Sequence, residues 1–288
     1  MNWVDTVAQG ILLGGVYALF ALGLSLIFGV MRLVNLAHGD LIVLAAFVVF
    51  AATASFGLPL VVATGLTVVL MFLLGFALQR LVLARVLGDD IMPPLLVTFG
   101  LSIVVQNGLL LGFGADSRRL QAGTFEARSI ELMPGLSVGL APLTALVVAV
   151  AVVVLLQIVF YRTSLGRAFR ATSDNPQIAQ LMGIDQRNVY AIAVGLSLAV
   201  SVIAAVTLGI RANFDPSIGP ARLLYAFEAV IIGGLGSLWG TLAGGIVLGM
   251  AQTIGARIDP EWQILAGHLA FLMVLFVRPR GLFPMRRP

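Results

Sequence analysis

Seven apolar runs of membrane-crossing length follow one another along this chain, and that succession limits the fold more than any motif does. A helix needs about 20 apolar residues to traverse the hydrocarbon core. The clear runs fall at about 7–29, 58–80, 93–112, 141–161, 188–210, 238–256 and 262–277. Two more, at about 39–56 and 222–236, are short and interrupted by polar residues or glycine. Lipid cannot satisfy backbone polar groups, so such segments must be helical. The expectation is an all-α polytopic bundle of eight or nine transmembrane helices, one or two of them broken, forming a single domain over residues 1–288.

Composition closes off several chemistries. Charged residues make up 10% of the chain and hydrophobic ones 60%, whereas soluble domains carry roughly 25% charged residues. Cysteine is absent, which removes disulfides, thiolate nucleophiles and Cys-ligated metals. All 17 basic residues are arginine, so the lysine that a Walker A loop offers to phosphates is missing, and so is Schiff-base chemistry. The chain is not expected to hydrolyse ATP by itself or to be an enzyme. Its high pI of about 10.3 fits arginine gathered on the cytoplasmic side of a membrane and calls for no nucleic acid. The start, MNWVDTVAQG, lacks a basic n-region, so the first apolar run is expected to remain in the mature protein.

Arginine also orients the bundle. Arg80 and Arg85 share one loop, Arg162, Arg167, Arg170 and Arg187 another, and Arg278, Arg280, Arg286 and Arg287 the C-terminal tail. Alternating spans put all three groups on one side, which is the cytoplasm by the positive-inside rule. The other side receives the long loop after Gly112, where Arg118, Arg119 and Arg128 are offset by Asp116, Glu126 and Glu131. A full crossing by 222–236 keeps the basic tail inside, and a crossing by 39–56 puts the N-terminus outside.

Helices in lipid approach closely through small residues. Gly236, Gly240 and Gly244 repeat at i+4, as do Gly245 with Gly249, Gly10 with Gly14, and Ala21, Ser25 and Gly29. These stripes serve packing within the subunit or against a second one. Two places read as broken helices or as interfacial loops. They are Met31–Asp40, with Asn35, His38, Gly39 and Asp40, and Asn213–Pro220, followed by Glu228 and Gly233-Gly234-Leu235-Gly236. Irregular backbone at membrane depth needs protein or a water-filled cavity around it, and transporters line their paths with it. Glu228 is a candidate for a buried, paired carboxylate. Gln106 and Asn107 either line a pore or bond across helices. Neither His38 nor His268 belongs to a set with metal-ligand spacing, so no metal and no cofactor is expected.

One polar island stands between membrane-length runs, GRAFRATSDNPQIAQLMGID at Gly166–Asp185. Ser164–Ala171 continues the preceding span into water as a helix. Asp174 or Asn175 is a favoured N-cap, Pro176 suits the first helical position, and Gly183 suits C′. The two turns between them place Ile178, Leu181 and Met182 on one face. So short a helix is marginal alone. Its apolar face must bury against the underside of its own bundle or in a groove of a soluble partner.

Three stretches carry a resemblance over nearly the whole chain. They are GLSLIFGVMRLVNLAHGDL at Gly23–Leu41, GRAFRATSDNPQIAQLMGI at Gly166–Ile184, and AFEAVIIGGLGSLWGTLAGGIVLG at Ala226–Gly249. In this order they resemble the permease subunits of branched-chain amino acid ABC importers, and more distantly the simple-sugar permeases. The resemblance implies a multi-pass subunit of the bacterial inner membrane with a cytoplasmic C-terminus. It would work with a second homologous permease, two cytoplasmic ATP-binding subunits and a periplasmic substrate-binding protein, in contact with membrane lipid.

Within 163–187 the coupling segment would use Gly166, Arg167, Arg170, Asp174, Asn175, Pro176, Ile178, Ala179, Leu181, Met182 and Gly183 to dock on an ATPase. Alternating access would be carried to a pathway near Asn35, His38, Gly39 and Asp40 and near Glu228, Gly233, Gly234 and Gly236. Relatives also carry urea, short amides or other amino acids. An ion-coupled secondary transporter, with Glu228 or Asp40 as its carboxylate, is the rival from another class.

Overall fold

The computed structural model describes residues 3–88, 90–123, 128–133 and 136–283. Arg286 and Arg287 of the tail and Glu126 of the long loop lie outside them. Every apolar run becomes a helix: α1 (Trp3–Met31), α2 (His38–Ala54), α3 (Leu60–Leu81), α4 (Met92–Phe113), α5 (Leu140–Arg162), α8 (Gln186–Arg211), α9 (Gly219–Gly233), α10 (Leu238–Ile258) and α11 (Trp262–Val277). Between α5 and α8 the polar island forms two short helices, α6 (Ser164–Asp174) and α7 (Pro176–Leu181). Among the described residues, six of the helices are long and apolar enough to span a membrane by themselves. The long loop holds a two-stranded antiparallel hairpin, β1 (Ser129–Met133) and β2 (Leu136–Gly139), where the sequence suggests only a loop.

The centre of the bundle is α1, which packs antiparallel on α10. Small residues allow it: a Cβ on Gly14 would lie 2.4 Å from the Ile246 Cα, and one on Gly249 would lie 2.4 Å from the Gly10 carbonyl oxygen. Gly244 meets Ala229 and Gly233 of α9 in the same way. The glycine stripes therefore serve packing inside this subunit.

Connectivity gathers the arginine groups at one end. The C-terminus of α3 meets the start of α8 through a hydrogen bond between Arg80 and Asn188. The α1 terminus is bonded to α6, and the segment after α11 pairs with the end of α9 through Leu282 N–H to Ile232 O at 2.8 Å. At the opposite end Arg257 donates to Thr6 at 2.8 Å and lies over the Trp3 ring.

Both interrupted segments are broken elements rather than surface loops. His38, the first residue of α2, donates from Nε2 to the Phe20 carbonyl at 3.0 Å. Phe20 stands eleven residues before the end of α1, or ~16 Å along its axis at 1.5 Å per residue. Residues 32–37 therefore fold back along α1 before α2 sets out in the reverse direction. The second break, after α8, does the same from the other end. Phe214 exchanges backbone bonds with Arg118 and stacks edge-on against Phe47 of α2, and the chain then descends to Gly219. The two tips meet: a Cβ on Gly39 would lie 2.1 Å from the Gly219 carbonyl oxygen.

Candidate functional site

The polar island is built by local chemistry. Thr163 ends α5 and caps α6, its hydroxyl donating to Val159 O at 2.6 Å and accepting from Gly166 N–H at 3.1 Å. Gly166 is required there, since any Cβ would sit 2.2 Å from the Val159 and Phe160 carbonyl oxygens. The fold-back lets Phe169 bury against Phe160, with ring centroids 5.3 Å apart. Arg170 then reaches the Phe160 carbonyl and lies over the Tyr161 ring. Farther along α6, Ser173 donates to Gly29 O at 2.7 Å and accepts from Arg32 through its own carbonyl at 3.3 Å. Helix α6 is thus fixed to the ends of both α5 and α1.

Asp174 closes α6, and Asn175 opens α7. The Asn175 side-chain oxygen accepts from Gln177 N–H at 3.1 Å and Ile178 N–H at 3.0 Å, with Pro176 in the first turn. Met182 follows the last helical residue, and Gly183, at φ +85°, reverses the chain so that Ile184 N–H reaches Ala179 O at 3.1 Å. Ala179 is buried, whereas Ile178, Leu181 and Met182 are 57%, 87% and 78% exposed. The sequence leaves two hosts open for this apolar face, and its own bundle is not the one used. Burial elsewhere would stabilise each such side chain by roughly 1.5–3 kcal/mol.

Behind α6 lies a cavity of about 480 Å³, bounded by Ser25 and Gly29 of α1, Gln157 of α5, Arg170 and Asp174 of α6, and the Gly236–Trp239 turn. A displacement of α6 would change its shape directly.

The other predicted residues do not form one cluster. Asn35, His38, Gly39 and Asp40 sit together where the broken tips meet. Asn35 Oδ1 accepts from Ala37 N–H at 3.0 Å. Asp40 accepts from Ser102 at 2.5 Å and from Gln106 at 3.0 Å, and the Leu36 N–H donates to Thr98 at 3.2 Å. Glu228 lies elsewhere on α9, buried and hydrogen-bonded to His268 of α11. Gly233, Gly234 and Gly236 form the α9–α10 turn at the arginine-rich end, with Gly234 and Gly236 at positive φ.

Sequence reasoning missed Thr98 and Ser102, although 98, 102 and 106 recur every four residues and so share one face of α4. It also missed the Glu228–His268 pairing, for which a separation of 40 residues leaves no sequence signal.

The family model described as branched-chain amino acid transport system / permease component matches residues 6–277. The chain is 28% identical over 295 residues to the high-affinity branched-chain amino acid transport system permease protein BraD of Pseudomonas aeruginosa, covering 98% of this chain and 95% of that one. It is 28% identical over 294 residues to the corresponding protein LivH of Escherichia coli, covering 98% and 96%. In fold it is similar to a chain of PsaBC from Streptococcus pneumoniae in complex with Fab, at a TM-score of 0.52 and 14% identity, covering 96% of this chain and 92% of that one.

Proposed function

Since this chain belongs to the branched-chain amino acid transport permease family, we propose that it is the membrane-spanning subunit of a binding-protein-dependent importer moving leucine, isoleucine or valine into the bacterial cytoplasm. Importers of this family work with ATPase and substrate-binding components. In the proposed assembly the permease is one of two homologous copies, the arginine-rich end and the C-terminus face the cytoplasm, and each permease holds one ATP-binding subunit. The basic residues gathered at one end support that orientation.

The observation that carries the reading is the outward apolar face of α7, joined to the bundle by a stiff linkage. Ile178, Leu181 and Met182 present exposed side chains, while the Ser173–Gly29 and Arg170–Phe160 bonds fix α6 to α1 and α5. Closure of a nucleotide-binding dimer beneath α7 would push on α6 and change the cavity behind it. From there the motion passes along α1 to the α2–α9 tips. Residues 163–187 act as the coupling segment. Asn35, His38, Gly39, Asp40, Glu228, Gly233, Gly234 and Gly236 lie along the translocation pathway, where they hold the packing of the helices that border it.

The absence of cysteine makes the test clean. Leu181→Cys, with a bifunctional thiol–amine reagent applied to native membranes, should cross-link to a nucleotide-binding subunit. Cross-links that reach other proteins but never that one would sink the coupling assignment. Leucine uptake that persists after the ATPase subunits are removed, and collapses with the ion gradient, would instead favour a secondary transporter.

A further inference from the structure

At the end of the bundle opposite the α6–α7 segment, a cavity of about 200 Å³ lies between three helices. Its floor is the stripe of α8 from Ile203 to Ile210, taken at i, i+3, i+4 and i+7. A matching stripe of α5, from Ala141 to Val148, and Thr64 of α3 supply the walls. Packing accounts for the gap. Helices α3 and α8 touch backbone to backbone at Gly75, whose Cβ would lie 2.8 Å from the Val194 carbonyl oxygen. Thr64 stands eleven residues from that crossing, or ~16 Å along α3, and there a Cβ on Gly65 would meet nothing within 4 Å. Helix α5 is held on α1 instead, where a Cβ on Gly15 would lie 2.7 Å from the Leu146 Cα. Val61, Val62 and Val147 beside the cavity are exposed, so it opens on the lipid-facing side.

The cavity offers one kind of unspent polar group. The hydroxyls of Thr64, Thr144 and Thr207 donate to the Leu60, Ala141 and Ile203 carbonyls of their own helices at 2.7, 3.0 and 2.9 Å, and a hydroxyl has a single hydrogen to give. Arg211, the last residue of α8, also borders the cavity. Among the described residues no carboxylate pairs with it, and its Nη1 is enclosed without an acceptor. A guanidinium that only reached for water from the end of a span would leave that nitrogen wet. The C-terminal dipole of α8 favours a cation, but Arg119 already meets it by donating to the Ile210 carbonyl at 3.3 and 3.1 Å. Two guanidinium groups therefore stand at one helix end, over an apolar groove. Thr64 and Thr144 are each the fifth residue of their helix, which places this end of the groove ~6 Å from where both helices begin.

We propose that the groove binds an anionic phospholipid, with its phosphodiester on Arg211 beside Arg119 and one acyl chain along α8 between α3 and α5. Guanidinium groups offer phosphate oxygens paired N–H donors, and basic pockets between membrane helices take anionic headgroups. The α8 stripe runs for about 10 Å and, with its threonine hydrogens spent, suits a hydrocarbon chain better than a polar solute. Free phosphate shares the headgroup's oxygen chemistry and forms a separate arm of the test. The site is independent of which solute the protein carries.

The full complex, purified through a tag on this chain, is placed in phosphatidylcholine nanodiscs with a trace of phosphatidylglycerol bearing a diazirine on one acyl chain. After irradiation, labelled residues are read by peptide mass spectrometry. Labelling of Val148 and Val206 should exceed that of the exposed Leu66 and Leu73 of α3 about tenfold, the worth of one charge-assisted contact. A phosphatidylcholine probe, whose choline neutralises the phosphate, should show no such enrichment. Arg211→Gln should remove most of it and Arg211→Lys should keep part, with the Leu66 and Leu73 signal as the standard for a folded bundle. Equal enrichment with the choline probe, enrichment unchanged in Arg211→Gln, or displacement by inorganic phosphate would each overturn the lipid site. So would a groove left unlabelled while Leu66 and Leu73 react, the result expected where a second protein chain covers it. Should Arg211→Gln fail to fold, the contrast between the two probes on the wild type decides.

Discussion

The junction of α2, α4 and α9 and the α6–α7 segment are both polar interruptions of an apolar chain, yet they are finished in opposite ways. At the junction Asp40 is buried and accepts from Ser102 and Gln106, and Thr98 takes the Leu36 N–H. In α7 the backbone is capped at both ends, but the apolar side chains of Ile178, Leu181 and Met182 face outward. A polar knot closed by its own chain holds shape, whereas an ordered apolar face left open needs a second molecule. Mutations should therefore damage the first region through folding and the second through coupling.

The largest effect should come from Gly39→Val. Its Cβ would press on the Gly219 carbonyl at 2.1 Å, and backbone of another helix cannot move as a side chain can. Overpacking commonly costs about 1–3 kcal/mol, and this site should reach the top of that range. Folded monodisperse protein, followed by fluorescence-detected size exclusion, should fall sharply; wild-type yield would break the contrast at its rigid end. Asp40→Leu comes next, because it removes the acceptor of the buried Ser102 hydroxyl at about 1–3 kcal/mol, while Gln106 keeps Ser102 Oγ as an acceptor. Asp40→Asn keeps an acceptor and should lose less thermal stability. For both, uptake per folded molecule should change less than the amount of folded protein, and a reversed ratio would give Asp40 a direct transport role.

Gly183→Val tests the other region. A β-branched residue at φ +85° is strained by about 1–2 kcal/mol, but nothing lies within 4 Å to clash with it. Membrane abundance and melting temperature should stay at wild-type levels. Uptake should drop on the order of tenfold, as 1.4 kcal/mol of lost docking implies, while ATP hydrolysis continues. Normal transport in this variant would remove the coupling role from α7.

What the sequence discloses differs between the two regions for a physical reason. The α7 helix is specified by neighbours in the chain: Asn175, Pro176 and Gly183 stand at cap, first-turn and C′ positions, and the structure uses each as such. The apolar runs likewise appear as helices, because backbone satisfaction in lipid admits little else. The junction is made by residues far apart in sequence. That Asp40 meets Ser102 and that Gly39 meets Gly219 depends on how broken helices dock, and no periodicity encodes it. The Gln106 choice between pore and cross-helix bond is decided the same way, by the position of Asp40. Asn107, next in sequence, bonds back to Ile103 O of its own helix.

The smallest expected effect separates intrinsic order in α7 from order conferred by a partner. Asn175 Oδ1 accepts from the Gln177 and Ile178 amides, and removing such a cap typically costs about 1 kcal/mol. In the isolated subunit, Asn175→Ala should speed hydrogen exchange at those two amides about fivefold and leave the bundle's melting temperature unchanged. Asn175→Asp keeps the acceptor and should exchange like the wild type. A helix of six residues has little else to hold it, so the cap should dominate in the free subunit. In the complex with its ATPase, burial of Ile178, Leu181 and Met182 should mask the loss and bring exchange in Asn175→Ala back towards the wild-type rate. Exchange that stays fast in the assembled complex would mean that no partner covers this face, and the distinction between a self-closed junction and an open coupling surface would fail there.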